Sequence, residues 1–167
     1  MYWYYLEAVQ ELPIGTDEAW QFLANAKNLE LLTPASMNLT IKSSITTPLY
    51  TGKILHYSVT PLPLYKTLWV SEITSYIEGK LFADKQLYGP YKSWNHEHEV
   101  TRSKTGSTII DRVYFQMPFG ILGGLGYTLI VRRALFKAFS FRKNQLIKLY
   151  PTAENLHYSF QLKRIKA

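Results

Sequence analysis

The chain has 167 residues, which fits one globular domain, and its 47% apolar and 15% aromatic content supplies side chains for a sizeable core. It contains no cysteine, which excludes disulfides, thiolate metal ligands and cysteine nucleophiles, so the cytoplasm is the expected compartment. The formal net charge of +7 is unevenly placed, because residues 1–120 carry −1 and residues 121–167 carry +8.

The N-terminal part of the chain predicts one strand followed by short helices. The run YWYYLEAVQEL is rich in aromatic residues, which is typical of a strand, and Pro13 and Gly15 break it. A helix is expected next, with Thr16 as its cap and two carboxylates in its first turn. Pro34 ends this helical region.

From Asn38 onward the pattern predicts six strands in succession, separated by turn signals such as Gly52, Gly79 and Gly106. No helical pattern intervenes, so an antiparallel meander is expected. The six runs are LTIKSSI, GKILHYSVTPL, YKTLWVSEITSYIEG, KLFADKQLYG, KSWNHEHEVTRS and STIIDRVYFQMP.

After Gly126 the apolar positions recur every three or four residues, which predicts one long amphipathic helix ending at Pro151. The positions at this spacing are Val131, Leu135, Ala138, Arg142, Leu146 and Leu149, and all of them except Arg142 are apolar. Beyond it, residues 152–167 are a basic tail for which a disordered segment, a further strand and a segment foreign to the natural protein remain open. This order predicts an α+β fold in which a curved antiparallel sheet of about seven strands wraps around the long helix and leaves a cavity.

Three segments resemble the START-like (SRPBCC) superfamily, whose helix-grip fold is shared by the birch pollen allergen, lipid-transfer START domains, polyketide aromatase/cyclases and bacterial coenzyme Q-binding proteins. DKQLYGPYKSWNHEH, from Asp84 to His98, is similar to the segment D-x-Q-x-x-G-P-[FY]-x-x-W-x-H-x-H of a bacterial subgroup. DRVYFQMPFGILG, which starts at Asp111, is similar to D-x-V-x-Y-x-[ML]-P-x-G-x-L-G, except that Phe115 stands where the family often has Tyr. LPIGTDEAWQFLANAKNLELLTP resembles the first strand end and paired helices.

The resemblance covers Tyr4 to Tyr150 and implies a helix-grip ligand-binding domain over residues 1–151, followed by the tail of residues 152–167. It implies a cavity for a lipophilic small molecule, such as a lipid, a quinone or a polyketide-like compound. A cyclase or dehydratase in the same cavity is the alternative that the resemblance leaves open.

In an extended strand Trp94, His96, His98 and Val100 share one face, and the apolar ends of this set indicate that the face points inward. Both imidazoles are therefore expected to line the cavity. In an enzyme either one can serve as general acid or base, because imidazole titrates near neutrality. The predicted ligand-binding residues are Trp94, His96, His98, Gln86, Tyr114, Leu135 and Phe139.

Two histidines two residues apart can share a metal, but a catalytic metal site needs a third protein ligand. Asp84, Asp111 and His56 are the available third ligands, and none stands at a motif spacing. The sequence therefore predicts neither a metal nor another cofactor, and buried hydrogen-bonded histidines are the plainer interpretation.

The basic stripe of the long helix, with Arg133, Lys137 and Lys148, suggests contact with an anionic membrane surface, although a solvated helix face explains it as well. Nucleic acid is not an expected partner, because there is no RNP-type motif or recognition helix. GILGGLG, residues 120–126, matches no phosphate-binding motif. No leader or spanning run is visible, so the expected location is cytoplasmic, at most peripheral at the inner membrane surface.

Overall fold

The computed structural model describes residues 2–43, 48–62, 64–118 and 130–165. Within them, strands and helices follow one another in the predicted order, and the α+β class is confirmed. The strands are β1 (Trp3–Leu12), β2 (Thr40–Ile41), β3 (Ile54–Leu62), β4 (Tyr65–Ile77), β5 (Leu81–Tyr88), β6 (Ser93–Arg102), β7 (Ser107–Gln116) and β8 (Tyr158–Ile165). The helices are α1 (Thr16–Leu23), α2 (Asn28–Leu31) and α3 (Arg132–Leu149), with short 3₁₀ turns at Ala35–Met37 and Pro151–Asn155.

The eight strands form one curved antiparallel sheet in the order β2-β3-β4-β5-β6-β7-β1-β8. Strands β2 to β7 form the predicted meander, and β1 returns to pair with β7. The sheet has one strand more than expected, because β8 pairs with the free edge of β1 from Trp3↔Ile165 to Gln10↔Tyr158. Of the possibilities left open for the C-terminal segment, the structure has the further strand.

Alternation along the central strands creates the inner face of the sheet. In β1 every second side chain, from Tyr4 to Leu12, is buried, and β7 alternates in the same way from Ser107 to Phe115. Because side chains of a strand point to opposite faces in turn, the sheet has one apolar face and one solvated face. The buried face is the one that the long helix covers.

Helix α3 lies across this inner face. Leu135, Phe139 and Leu146 are its buried side chains, and they pack into two apolar clusters formed with sheet residues. Leu149, which the sequence placed on the same side, is 44% exposed because the helix ends there and the chain turns away. Spacing of three and four residues predicted the buried side correctly over the preceding turns.

Two local details complete the fold. Thr16 is the first helical residue of α1 rather than its cap, because Gly15 occupies the cap position and no side chain caps the helix there. Residues 120–126 lie outside the described part of the chain. Among the helices that are described, none combines the length and apolarity needed to cross a membrane.

Candidate functional site

A cavity of about 240 Å³ lies between the sheet and α3, and the helical turns after α1 form part of its wall. Apolar side chains make up most of its wall. The wall includes Leu55, Tyr57, Trp69, Ser71, Phe82, Asp84, Tyr91, Trp94, His96, His98, Ala134, Leu135, Ala138, Phe139 and Arg142.

Ring contacts fix the aromatic part of the wall. The ring of Trp94 lies 5.3 Å from Trp69 and 4.6 Å from Tyr91, between centroids, and Phe82 stacks on His98 at 4.3 Å. Aromatic pairs at these separations contribute about 0.5–1.5 kcal/mol each beyond the area they bury. The wall is thus a connected set of rings.

Five ionisable side chains meet at one place, and we call them the His–Asp cluster: Asp84, His96, His98, Asp111 and Arg142. All of them line the cavity except Asp111, which is buried next to them. Strand pairing brings four of them together. Asp84 stands opposite His96 in the β5–β6 register, and Asp111 stands opposite His98 in the β6–β7 register. Arg142 comes from α3, three residues after the buried Phe139.

Asp111 is the centre of the cluster. Its Oδ1 lies 2.7 Å from Nδ1 of His98, 3.2 Å from Nε2 of His96 and 3.3 Å from Nη1 of Arg142. Burial alone would raise the pKa of the Asp111 carboxyl, but Arg142 and both imidazoles hold that pKa well below its usual value. Asp111 is therefore a buried carboxylate that three cationic or N–H groups stabilise.

Asp84 has a different environment. Its Oδ2 accepts a hydrogen bond of 2.8 Å from Oγ of Ser71, which in turn accepts one of 3.1 Å from Nε1 of Trp69. Its Oδ1 lies 3.8 Å from Nε2 of His98. Burial raises the pKa of Asp84, and neither His96 nor Ser71 offsets that effect fully.

The histidine next to these carboxylates is held neutral. Burial, together with the neighbouring His96, lowers the pKa of His98 to about 3, although Asp111 acts in the opposite direction. One carboxyl with a raised pKa, one with a lowered pKa and a neutral imidazole therefore lie within contact distance. Such a group can accept a proton, donate a hydrogen bond or ligate a cation, all inside an apolar cavity.

The structure places five of the seven predicted ligand residues on the cavity wall: Trp94, His96, His98, Leu135 and Phe139. Their contact with a ligand remains a prediction.

Two predicted residues lie elsewhere. The side-chain amide of Gln86 forms two hydrogen bonds with the backbone of Tyr91. Its Nε2 donates to the Tyr91 carbonyl oxygen at 2.7 Å and its Oε1 accepts from the Tyr91 N–H, so Gln86 stabilises the loop between β5 and β6. Tyr114 is 43% exposed and packs on Tyr5 with ring centroids 4.9 Å apart, because alternation from the buried Val113 turns it to the outer face.

The predicted basic stripe is on the surface, since Arg133, Lys137 and Lys148 are all exposed. The sequence interpretation missed the importance of Arg142 and of Asp84 as cavity residues. The signal for Arg142 was present, because a charged residue on the apolar side of a helix must find a buried partner. Asp84 could be recognised only once the pairing of β5 with β6 was known.

No protein-family model matches the sequence, and no curated protein matches it. Solved structures with similar folds were found. Protein Ms6760 from Mycobacterium smegmatis is 19% identical with a TM-score of 0.63, over 90% of this chain and 92% of that one. A point mutant of Thalictrum flavum norcoclaurine synthase, in complex with a transition-state analogue, is 14% identical with a TM-score of 0.61, over 87% and 94%.

A third similar structure is the di-domain aromatase/cyclase StfQ of the steffimycin biosynthetic pathway, 14% identical with a TM-score of 0.62. The match covers 93% of this chain and 53% of StfQ. Identities this low compare folds rather than activities. They confirm the fold that the resemblance implied: the chain has a helix-grip fold.

Proposed function

We propose that this protein binds a lipophilic small molecule in the cavity between the sheet and α3, with the His–Asp cluster holding an oxygen atom at one end of that molecule. The observation that supports this is the buried His–Asp cluster beside a cavity whose described wall is otherwise mainly apolar. Ligand pockets for lipophilic molecules have this composition, in which apolar walls provide burial and a few polar groups fix orientation. The class of molecule is a lipid, a quinone or a polyketide-like compound.

The proposal can be tested with cis-parinaric acid, a fluorescent lipophilic polyene. Ala138 faces the cavity from α3, so Ala138→Trp places a large ring in the space that the ligand needs. Asn144→Trp is the matched control, because it adds the same ring to the exposed side of the same helix. Wild type and Asn144→Trp should bind the probe saturably, whereas Ala138→Trp should lose most of that binding while keeping its circular dichroism spectrum. Equal binding by all three folded proteins would reject the cavity as the site.

A second candidate function is catalysis of a cyclisation or dehydration, and the His–Asp cluster favours it because it can move a proton at a carbon next to a carbonyl group. Norcoclaurine synthase and the StfQ aromatase/cyclase have similar folds, which makes this chemistry compatible with the architecture. The double variant His96→Ala/His98→Ala separates the two functions. A carrier should retain partial affinity for the probe, whereas an enzyme should lose turnover of a polyketone substrate by several orders of magnitude.

We also propose that the exposed basic stripe of α3 docks on anionic phospholipid. Two exposed apolar side chains, Ile130 and Phe136, accompany Arg133 and Lys137 at the start of the helix. Basic groups beside apolar groups are the combination that peripheral membrane contact requires. Ala134 and Leu135 at this end of the helix line the cavity, so docking there would bring the cavity close to a source of lipophilic ligand.

A further inference from the structure

Three possible metal-ligand atoms converge on the cavity side of β5 and β6. Asp84, His96 and His98 each offer one such atom, and the three atoms lie within 4.8 Å of one another. Among them, Oδ1 of Asp84 lies 3.8 Å from Nε2 of His98. All three residues line the cavity, so the point where their atoms converge adjoins the space proposed for the ligand.

Each of these side chains is held by a second polar contact that leaves one ligand atom available. Asp111 lies 2.7 Å from Nδ1 of His98 and 3.2 Å from Nε2 of His96, which leaves Nε2 of His98 and Nδ1 of His96. Ser71 donates to Oδ2 of Asp84, which leaves Oδ1. A carboxylate that accepts the other N–H of a ligating imidazole is the usual outer support of a histidine metal ligand. The hydrogen bond between Nε2 of His96 and Asp111 has this form, whereas Nδ1 of His98 lies close to Asp111 without the geometry of a hydrogen bond.

We propose that Asp84, His96 and His98 form a binding site for a divalent transition-metal ion, with Asp111 and Ser71 as positioning residues. Two imidazole nitrogens and one carboxylate oxygen suit zinc, iron(II) or cobalt(II) better than magnesium or calcium, which prefer all-oxygen sites. Three protein ligands leave coordination positions open, and these would face the cavity. The site goes beyond lipophile binding, because it would give the cavity a Lewis acid able to hold a carbonyl or enolate oxygen.

The charges around the site favour a cation. Among the described residues, no lysine or arginine forms an ion pair with Asp84, whereas Arg142 pairs with Asp111 at 3.3 Å. With both imidazoles neutral, as metal binding requires, two carboxylates and one guanidinium give the His–Asp cluster a net charge of −1. A divalent ion would change that to +1 and would compensate the buried carboxylate of Asp84, which is costly without a partner.

Titration with Co²⁺ tests the site, using the full chain after treatment with a chelator and removal of that chelator. Calorimetry should show one Co²⁺ bound per chain, and the visible absorption of the ion should change as imidazole replaces water. Asp84→Asn and His98→Gln should each weaken binding by at least the roughly 10–100-fold that loss of a supporting residue costs in known sites. His56→Gln is the control. His56 is exposed on β3 and outside the site, so this variant should bind Co²⁺ as tightly as wild type.

The result that would overturn the proposal is Co²⁺ binding no tighter than to free imidazole, or binding that persists in Asp84→Asn and disappears in His56→Gln. Circular dichroism of the same samples shows whether the variants are folded, and binding of cis-parinaric acid by the wild-type protein tests the cavity separately. A protein that binds the probe and not the metal would reject the metal site alone. A protein that binds the metal and not the probe would support the metal site and reject the proposed function.

Discussion

The buried charge of Asp111 leads to a quantitative prediction. Its side chain is 4% exposed and that of Arg142 is 12% exposed, so their ion pair is screened very little by water. Asp111→Asn keeps the size and shape of the side chain but removes the negative charge, which leaves the Arg142 guanidinium buried without a counter-charge. Breaking one side of a buried ion pair costs about 3–5 kcal/mol.

That cost is large for a single domain, since the free energy of unfolding is typically about 5–15 kcal/mol. In a domain of this length it corresponds to a fall in Tm of about 6–20 °C. Chemical denaturation followed by tryptophan fluorescence should measure the loss directly. Asp17→Asn is the matched control, because Asp17 is exposed in the first turn of α1 and should cost no more than about 1 kcal/mol.

A double-mutant cycle identifies the cause of the loss. If the cost comes from the unpaired guanidinium, adding Arg142→Met to Asp111→Asn should recover part of the stability. The coupling between the two changes should then be roughly 0.5–3 kcal/mol, as for residues in one network. A loss below about 1 kcal/mol for Asp111→Asn, or no recovery in the double variant, would refute the reasoning that the pair is charged and desolvated.

Three further predictions concern pH, backbone conformation and the basic stripe. Because burial lowers the pKa of His98 to about 3 from an ordinary value of about 6.5, the unfolded chain binds a proton that the folded chain does not. The unfolding free energy should therefore fall as the pH is lowered through that range, and less so in His98→Gln, as measured by urea unfolding at several pH values. Gly106→Ala should destabilise the protein by more than about 1 kcal/mol in thermal unfolding, because φ is +149° and a Cβ would lie 2.5 Å from a backbone oxygen. Replacing Arg133, Lys137 and Lys148 by Glu should reduce sedimentation with phosphatidylserine vesicles.

A specific result would contradict each of these three predictions. If the unfolding free energy of His98→Gln changed with pH as steeply as that of wild type, groups other than His98 would set the pH dependence. Gly79→Ala is a useful reference for Gly106, because its φ of +71° is also positive but a Cβ there would meet nothing within 4 Å. Equal costs at the two glycines would reject the close approach as the cause. Unchanged vesicle sedimentation after charge reversal would reject the stripe as a membrane surface.

The sequence predicted the sheet and the long helix because their periodicities are strong. Burial alternates strictly along β1 and β7, and Leu135, Phe139 and Leu146 repeat at helical spacing. Strand β8 gave a weaker signal, because no residue from Tyr158 to Ile165 is fully buried. An edge strand with little burial resembles a polar tail until its pairing partner is known.

The position of a site residue was predictable where strand alternation determines which way its side chain points. It was less predictable where the path of a loop determines it. His96 and His98 follow alternation, and their inward position could be read from Trp94 and Val100. Gln86 departs from the predicted site because the β4–β5 register shifts between Gln86 and Tyr88, and its amide forms hydrogen bonds with the loop that follows. The contact with Arg142 joins a strand to a helix far along the chain, which no local pattern specifies.

Native mass spectrometry tests the central claim most directly, if the protein is purified gently from cells and measured at once. The expected species is heavier than the 19.4 kDa chain by the mass of one lipophilic molecule, which extraction with an organic solvent then releases for identification. The same preparation of Ala138→Trp should show the bare chain, and Asn144→Trp should retain the added mass. Bare chains in all three samples, together with no saturable binding of cis-parinaric acid, would contradict the account.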